Sequence, residues 1–148
     1  MKIKLKKTFD NEVLDAWTKI EKNENLLIFQ TSAWNHHWIK YNKISNNLRI
    51  LIVYIKNEPA LIFPFFVKKK YFFKFIYWIG YDLSDYLSPI VNRQIDINLN
   101  TFNSIWEEII KILELEADVI FLKKQIEDGA YSLNPIIKYL NCKDYDLT

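Results

Sequence analysis

Three apolar runs follow one another in the middle of the chain, Leu48 to Ile55, Ala60 to Val67 and Phe73 to Ile79, with only a few polar residues between them. Connections this short leave no room for a crossover, so consecutive runs must pair antiparallel. The first run is apolar almost throughout, as expected of a strand covered on both faces, and Asn57-Glu58 supplies the tight turn into the second. Lys68 to Lys70 turns the chain again into a third central strand. Pro64 lies inside the second run and has no N–H to give to a ladder, which predicts a bulge or an unpaired edge there.

Helical patterns surround these strands. Lys2 to Phe9 alternates lysines with apolar residues, the period of a half-buried first strand. Asp10 can cap a helix running to about Glu21, with Val13, Leu14, Trp17 and Ile20 on one stripe and Phe9 placed to staple against Leu14. Thr31 or Ser32 can cap a second helix, with Trp34, Trp38 and Tyr41 marking its buried side. Ile90 to Asn98 reads as irregular. Phe102, Ile105, Trp106, Ile109, Ile110 and Leu113 then recur at helical spacing, with Glu107 and Lys111 paired across one turn. A short buried strand at Asp118 to Leu122, a loop at Gly129 and a short helix at Asn134 to Leu140 complete the chain. The predicted order is strand, two helices, three antiparallel strands, helix, strand, helix. No repeat or linker divides it, so residues 1–148 are read as one α/β (α+β) domain with a mixed, mostly antiparallel sheet flanked by helices.

The composition is that of a globular protein. Half of the 148 residues are apolar and 16% aromatic, and the charges nearly cancel to +2, which argues against disorder and against strong nonspecific attraction to nucleic acid. Cys142 is the only cysteine, excluding an internal disulfide framework and fitting a reducing compartment. Met1 to Asp10 has no apolar stretch of the secretory kind. The longest apolar runs are short, and Lys68 to Lys70 and Lys74 interrupt them, so no membrane span is expected. These features together predict a cytoplasmic protein.

The segment Tyr77 to Pro89 concentrates the candidate chemistry. Asp82, Asp85 and Tyr86 leave the end of an apolar strand just after Gly80, where the backbone can turn sharply. Asp and Ser are ordinary turn residues, and on loop chemistry alone a solvated turn is the better account of Asp82, Ser84 and Asp85. His36 and His37, as helix neighbours, point about 100° apart and do not chelate one ion together. His37 shares a side with Trp34, Trp38 and Tyr41 and reads as a packed residue, His36 as a solvated one. Lys68, Lys69, Lys70 and Lys74 interleave with Tyr71, Phe72, Phe73 and Phe75, a pattern that nucleic-acid surfaces also use. A hairpin turn with solvated lysines explains it more simply, and nucleic acid is not expected as a partner.

The element order and several short motifs resemble the GNAT acyltransferases. Phe29-Gln30-Thr31-Ser32-Ala33-Trp34 is similar to the opening of the second helix in acetyltransferases of the cellulose-biosynthesis (CelD and BcsL-like) type. The strand with Pro64 resembles their Pro-Leu strand, and Gly80 with Asp85-Tyr86 resembles their Gly-x(4)-Asp-Tyr element. The resemblance covers roughly Asn25 to Leu122. Members of that family look like two GNAT-type halves in tandem, related in arrangement to FemAB-like transferases, and this chain resembles the N-terminal half.

The resemblance implies an N-acyltransferase of polysaccharide biosynthesis that modifies an amino group on a sugar or another polar acceptor. Gln30, Trp34, Asp82, Asp85 and Tyr86 would line the acceptor side, and Asp85 and Tyr86 are the candidate catalytic pair. Acetyl-coenzyme A or another acyl-coenzyme A would serve the full-length protein. It would not be held by this chain alone, because Tyr81 to Asn100 contains no glycine where a pyrophosphate loop needs several. Arg93-Gln94 begins something like the expected pattern, but Ile97 and Leu99 stand where small residues are required. The competing expectation is a noncatalytic scaffold for a catalytic GNAT half. On either reading a missing partner half leaves an uncovered edge or face, and the isolated chain is expected to self-associate.

Overall fold

A computed structural model describes residues 1–125 and 134–139. The expectations for Gly129, Leu140 and Cys142 lie outside the described residues. The elements are β1 (Lys2–Lys6), α1 (Asn11–Glu21), α2 (Ser32–Tyr41), β2 (Leu48–Ile55), β3 (Glu58–Lys70), β4 (Phe73–Trp78), β5 (Ile90–Val91), α3 (Leu99–Glu114), β6 (Val119–Ile120) and α4 (Pro135–Tyr139). The sheet runs β1-β2-β3-β4-β6, antiparallel except for the parallel β4–β6 step, and β5 pairs with β3 beside that path. The chain is thus a mixed α+β fold with a mostly antiparallel sheet flanked by helices.

Alternation along β2 and β3 divides the core between two sides. Ile50, Ile52, Ile62 and Phe66 face α1 and α2, where they meet Trp17, Ile20, Trp38 and Ile39. Leu51, Val53, Phe63 and Phe65 face α3, where they meet Phe102, Ile105, Trp106 and Ile109. Burial of each such side chain contributes about 1.5–3 kcal/mol, so both helical layers are anchored through the same two strands.

α1 and α2 are capped as expected, and Asn98, at the end of the segment read as irregular, caps α3. Asp10 accepts from the Val13 N–H at 3.0 Å, Thr31 from Trp34 at 3.3 Å and Asn98 from Thr101 at 2.9 Å. Other local expectations are corrected. The β2–β3 turn is centred on Lys56 and Asn57, both at positive φ (52° and 65°), which suits the twist of the hairpin, and Glu58 already pairs with Ile55. β1 stops at Lys6, and Phe9 does not staple Leu14, which is exposed. Its ring packs on Trp17 at 5.7 Å and stacks on His36 at 4.8 Å. Lys111 pairs with Glu108 at 3.0 Å, not with Glu107. Ile90–Val91 forms a short strand within the segment read as irregular, and β6 is shorter and only half-buried.

The phase of α2 also differs. Ser32, Asn35, Trp38 and Ile39 are its buried residues, while Tyr41 and His37 are exposed and His36 is half-buried against Phe9. The cause is Asn35, whose amide nitrogen donates to the Phe29 and Thr31 carbonyls at 3.0 and 2.9 Å and so ties the residue into the core, although its buried Oδ1 accepts no hydrogen bond.

Pro64 marks the place where β3 changes partners. Leu61 and Ile62 pair with β5, whereas Phe65 to Lys70 pair with β4. The Pro64 carbonyl accepts from the Ile79 N–H at 2.8 Å. The N and C=O of one strand residue point the same way, so the missing donor faces the gap between β4 and β5 and not β2. The register shift lies elsewhere, between Val53 and Tyr54.

Candidate functional site

At the end of β4 the backbone turns at Gly80, which has φ +87°. A Cβ there would stand 2.4 Å from the Trp34 ring and 2.6 Å from Ser84 Oγ, so glycine is required for both conformation and space. The Leu83 and Ser84 N–H groups both donate to the Gly80 carbonyl, at 3.1 and 2.9 Å, and close the turn. Lys124 Nζ donates to the Ser84 carbonyl at 2.9 Å, and the Lys124 carbonyl accepts from the Leu87 N–H at 2.8 Å. The loop is therefore fixed at both ends by backbone groups.

Three of the five residues expected at the acceptor side are engaged by the protein itself. Gln30 donates to Ser88 Oγ at 2.8 Å and accepts from the Leu27 N–H at 3.1 Å. Trp34 packs edge-on against Phe29, ring centres 5.4 Å apart, and covers Gly80. Asp82 accepts from the Trp38 indole N–H at 3.1 Å through one oxygen. Asp85 and Tyr86 are exposed and make no hydrogen bond or ion pair with a described residue. The structure thus gathers Gln30, Trp34 and Asp82 around the Gly80 turn and leaves Asp85 and Tyr86 on its outer side, a free carboxylate next to a free phenol.

Sequence reasoning missed the residues that hold this turn, Ser88 and Lys124, and the solvated-turn reading is corrected at Ser84, which is fully buried with an Oγ that has no hydrogen-bond partner. Nothing in the local sequence pattern marks these contacts, which join distant parts of the chain. Lys68 reaches the same neighbourhood, its Nζ 3.0 Å from the Tyr81 hydroxyl, and that contact holds the ammonium pKa above its ordinary value.

A cleft of about 250 Å³ lies elsewhere, between residues 91–97 and α4, lined by Leu61, Arg93, Gln94, Ile97 and Tyr139. None of the five expected residues lines it. Arg93 is committed to Glu24, by a side-chain pair at 3.5 Å and by its backbone N–H at 2.7 Å. Among the described residues no group of three or more His, Cys, Asp or Glu is placed to hold a metal ion, and no helix is long and apolar enough to cross a membrane. No protein-family model, curated protein or solved structure matches the chain.

Proposed function

We propose that this chain is a GNAT-like domain forming the acceptor side of an N-acyltransferase that acts on an amino group of a sugar or another polar acceptor. Acetyl-coenzyme A or another acyl-coenzyme A would be bound by a second, C-terminal GNAT-like half. The element order supports this reading, as does the parallel β6 strand that follows an antiparallel meander. The single observation that carries the site is the Gly80 turn, which ties the exposed Asp82 to the Trp38 indole and leaves Asp85 and Tyr86 free.

The chemistry asked of these residues is modest. An ammonium group must lose a proton before its nitrogen can attack a thioester carbonyl, and the Asp85 carboxylate would take that proton directly or through water. Tyr86 would orient the acceptor or protonate the departing thiolate. A second reading, a noncatalytic scaffold for a catalytic half, is favoured by the commitment of Arg93 to Glu24 and by the glycine-free stretch from Tyr81 to Asn100.

Titration with glucosamine followed by amide NMR tests the site. Shifts confined to residues 80–88 are expected, with affinity falling about tenfold or more in Asp85→Asn and Tyr86→Phe, as for loss of a hydrogen bond to a charged group. Both variants should melt as the parent does. Absence of shifts would remove the acceptor site, and unchanged affinity with a stability loss of about 1–3 kcal/mol would favour the scaffold.

A further inference from the structure

The β3–β4 hairpin extends past both cores. Every residue from Lys68 to Lys74 is exposed, and the extremity carries Tyr71 at 82%, Phe72 at 92% and Phe73 at 55% of their full accessibility. Folding gains nothing from rings in this position. The backbone is also held at a cost, because Tyr71 occupies the first position of a two-residue turn with φ +56°, where glycine is the favoured residue. Lys69 and Lys74 stand directly opposite each other in the ladder, a like-charge pair that destabilises an isolated hairpin.

The positive charge at this tip is not neutralised locally. Lys68 turns back to the Tyr81 hydroxyl and ring. The nearest carboxylate by contact, Asp118, accepts from the backbone N–H of Lys74 at 2.7 Å and leaves the ammonium unpaired. No described carboxylate forms an ion pair with Lys69, Lys70 or Lys74. The lysines of β1 differ in this respect, since Lys4 and Lys6 are paired with Glu12.

Exposed rings at the extremity of a protrusion, with unpaired lysines one step behind them, match the order of layers in an anionic bilayer surface. Rings settle at the boundary of headgroups and acyl chains, and ammonium groups reach the phosphates. We propose that the β3–β4 hairpin docks this domain on an anionic phospholipid surface, with Tyr71 and Phe72 entering the interface and Lys69, Lys70 and Lys74 meeting lipid phosphates. Single-stranded nucleic acid fits less well, because bases stack along a groove or a flat face, whereas these rings sit on a convex turn only two residues wide. The inference does not depend on the acyltransferase reading.

Co-sedimentation with vesicles of phosphatidylcholine and phosphatidylglycerol, roughly 3:1, tests it, with pure phosphatidylcholine vesicles and oligo(dT) as the other arms. The protein should pellet with the anionic vesicles alone, and less so as salt is raised. Phe72→Ser should loosen binding about tenfold. Lys70→Gln and Lys74→Gln should each loosen it about fivefold. Tyr71→Gly keeps the test independent of folding, because it relieves the positive φ and should melt higher while binding more weakly. Failure to pellet with anionic vesicles, equal pelleting of all variants, or binding to oligo(dT) without binding to vesicles would each overturn the proposal.

Discussion

Gly80 answers two demands at once, a left-handed backbone and the space beneath the Trp34 ring. Gly80→Ala should therefore cost about 3 kcal/mol, read as a lower urea midpoint. In a Trp34→Ala background the same change should cost at least about 1 kcal/mol less, because the ring contact is gone while the φ penalty remains. Equal costs in the two backgrounds would mean that Trp34 does not press on the turn. Gly80 was legible in the sequence because glycine is rare here and this one stands at a strand exit. The fate of Asp82 was not, since its partner, Trp38, lies on another element and no local pattern records the contact. The same holds for Gln30 and Ser88, so the sequence located the turn but could not say which of its polar side chains are engaged.

Elements with one dominant apolar period were read closely. α1 begins at its expected cap, α3 covers its expected apolar stripe, and the three central strands fall where their apolar runs lie. α2 differs in phase because Asn35 is buried, its amide nitrogen bonded to backbone carbonyls, and Tyr41 is exposed, while β5 leaves no trace in the pattern because two residues carry no period. Contacts between elements are equally invisible to periodicity, and Glu116 is one that matters. It lies just beyond α3 and joins β2 through Arg49 at 2.5 Å and the chain after β1 through Lys7 at 2.7 Å. Burial pushes its carboxyl up, but hydrogen bonds from Lys7 and Arg49 outweigh that, so its pKa lies below the ordinary 4.5. A lowered acid pKa gives stability that is fully present above about 4.5 and is lost as pH falls through the folded value. Glu116→Gln should cost about 1–2 kcal/mol at neutral pH and flatten the acid limb of the stability profile below 4.5. An unchanged acid limb in the variant would show that other carboxylates set it.

At the scale of the whole molecule, both faces of the central sheet are filled, one by α1 and α2 and the other by α3. The helix that would face an acyl donor's pyrophosphate is α3, and its first turn is already served by the Asn98 side chain, with no glycine before it as far back as Tyr81. Calorimetric titration with acetyl-coenzyme A should therefore show no saturable heat in the micromolar range. Micromolar affinity, about 8 kcal/mol, would move the donor site into this chain and undo the division of labour proposed above. The partner exchange of β3 at Pro64 also bears on how the chain assembles. β3 meets β2 and β4 through turns of two residues, so these contacts close small loops and lose little chain entropy. β1 joins the sheet at pairs such as Ile3 with Val53, and β6 at Ile76 with Ile120, both across long stretches of chain. Loop-closure entropy thus favours the meander as the early scaffold and makes the two outermost strands late additions, with the proline keeping one slot of that scaffold unzipped for the loop that carries Gly80.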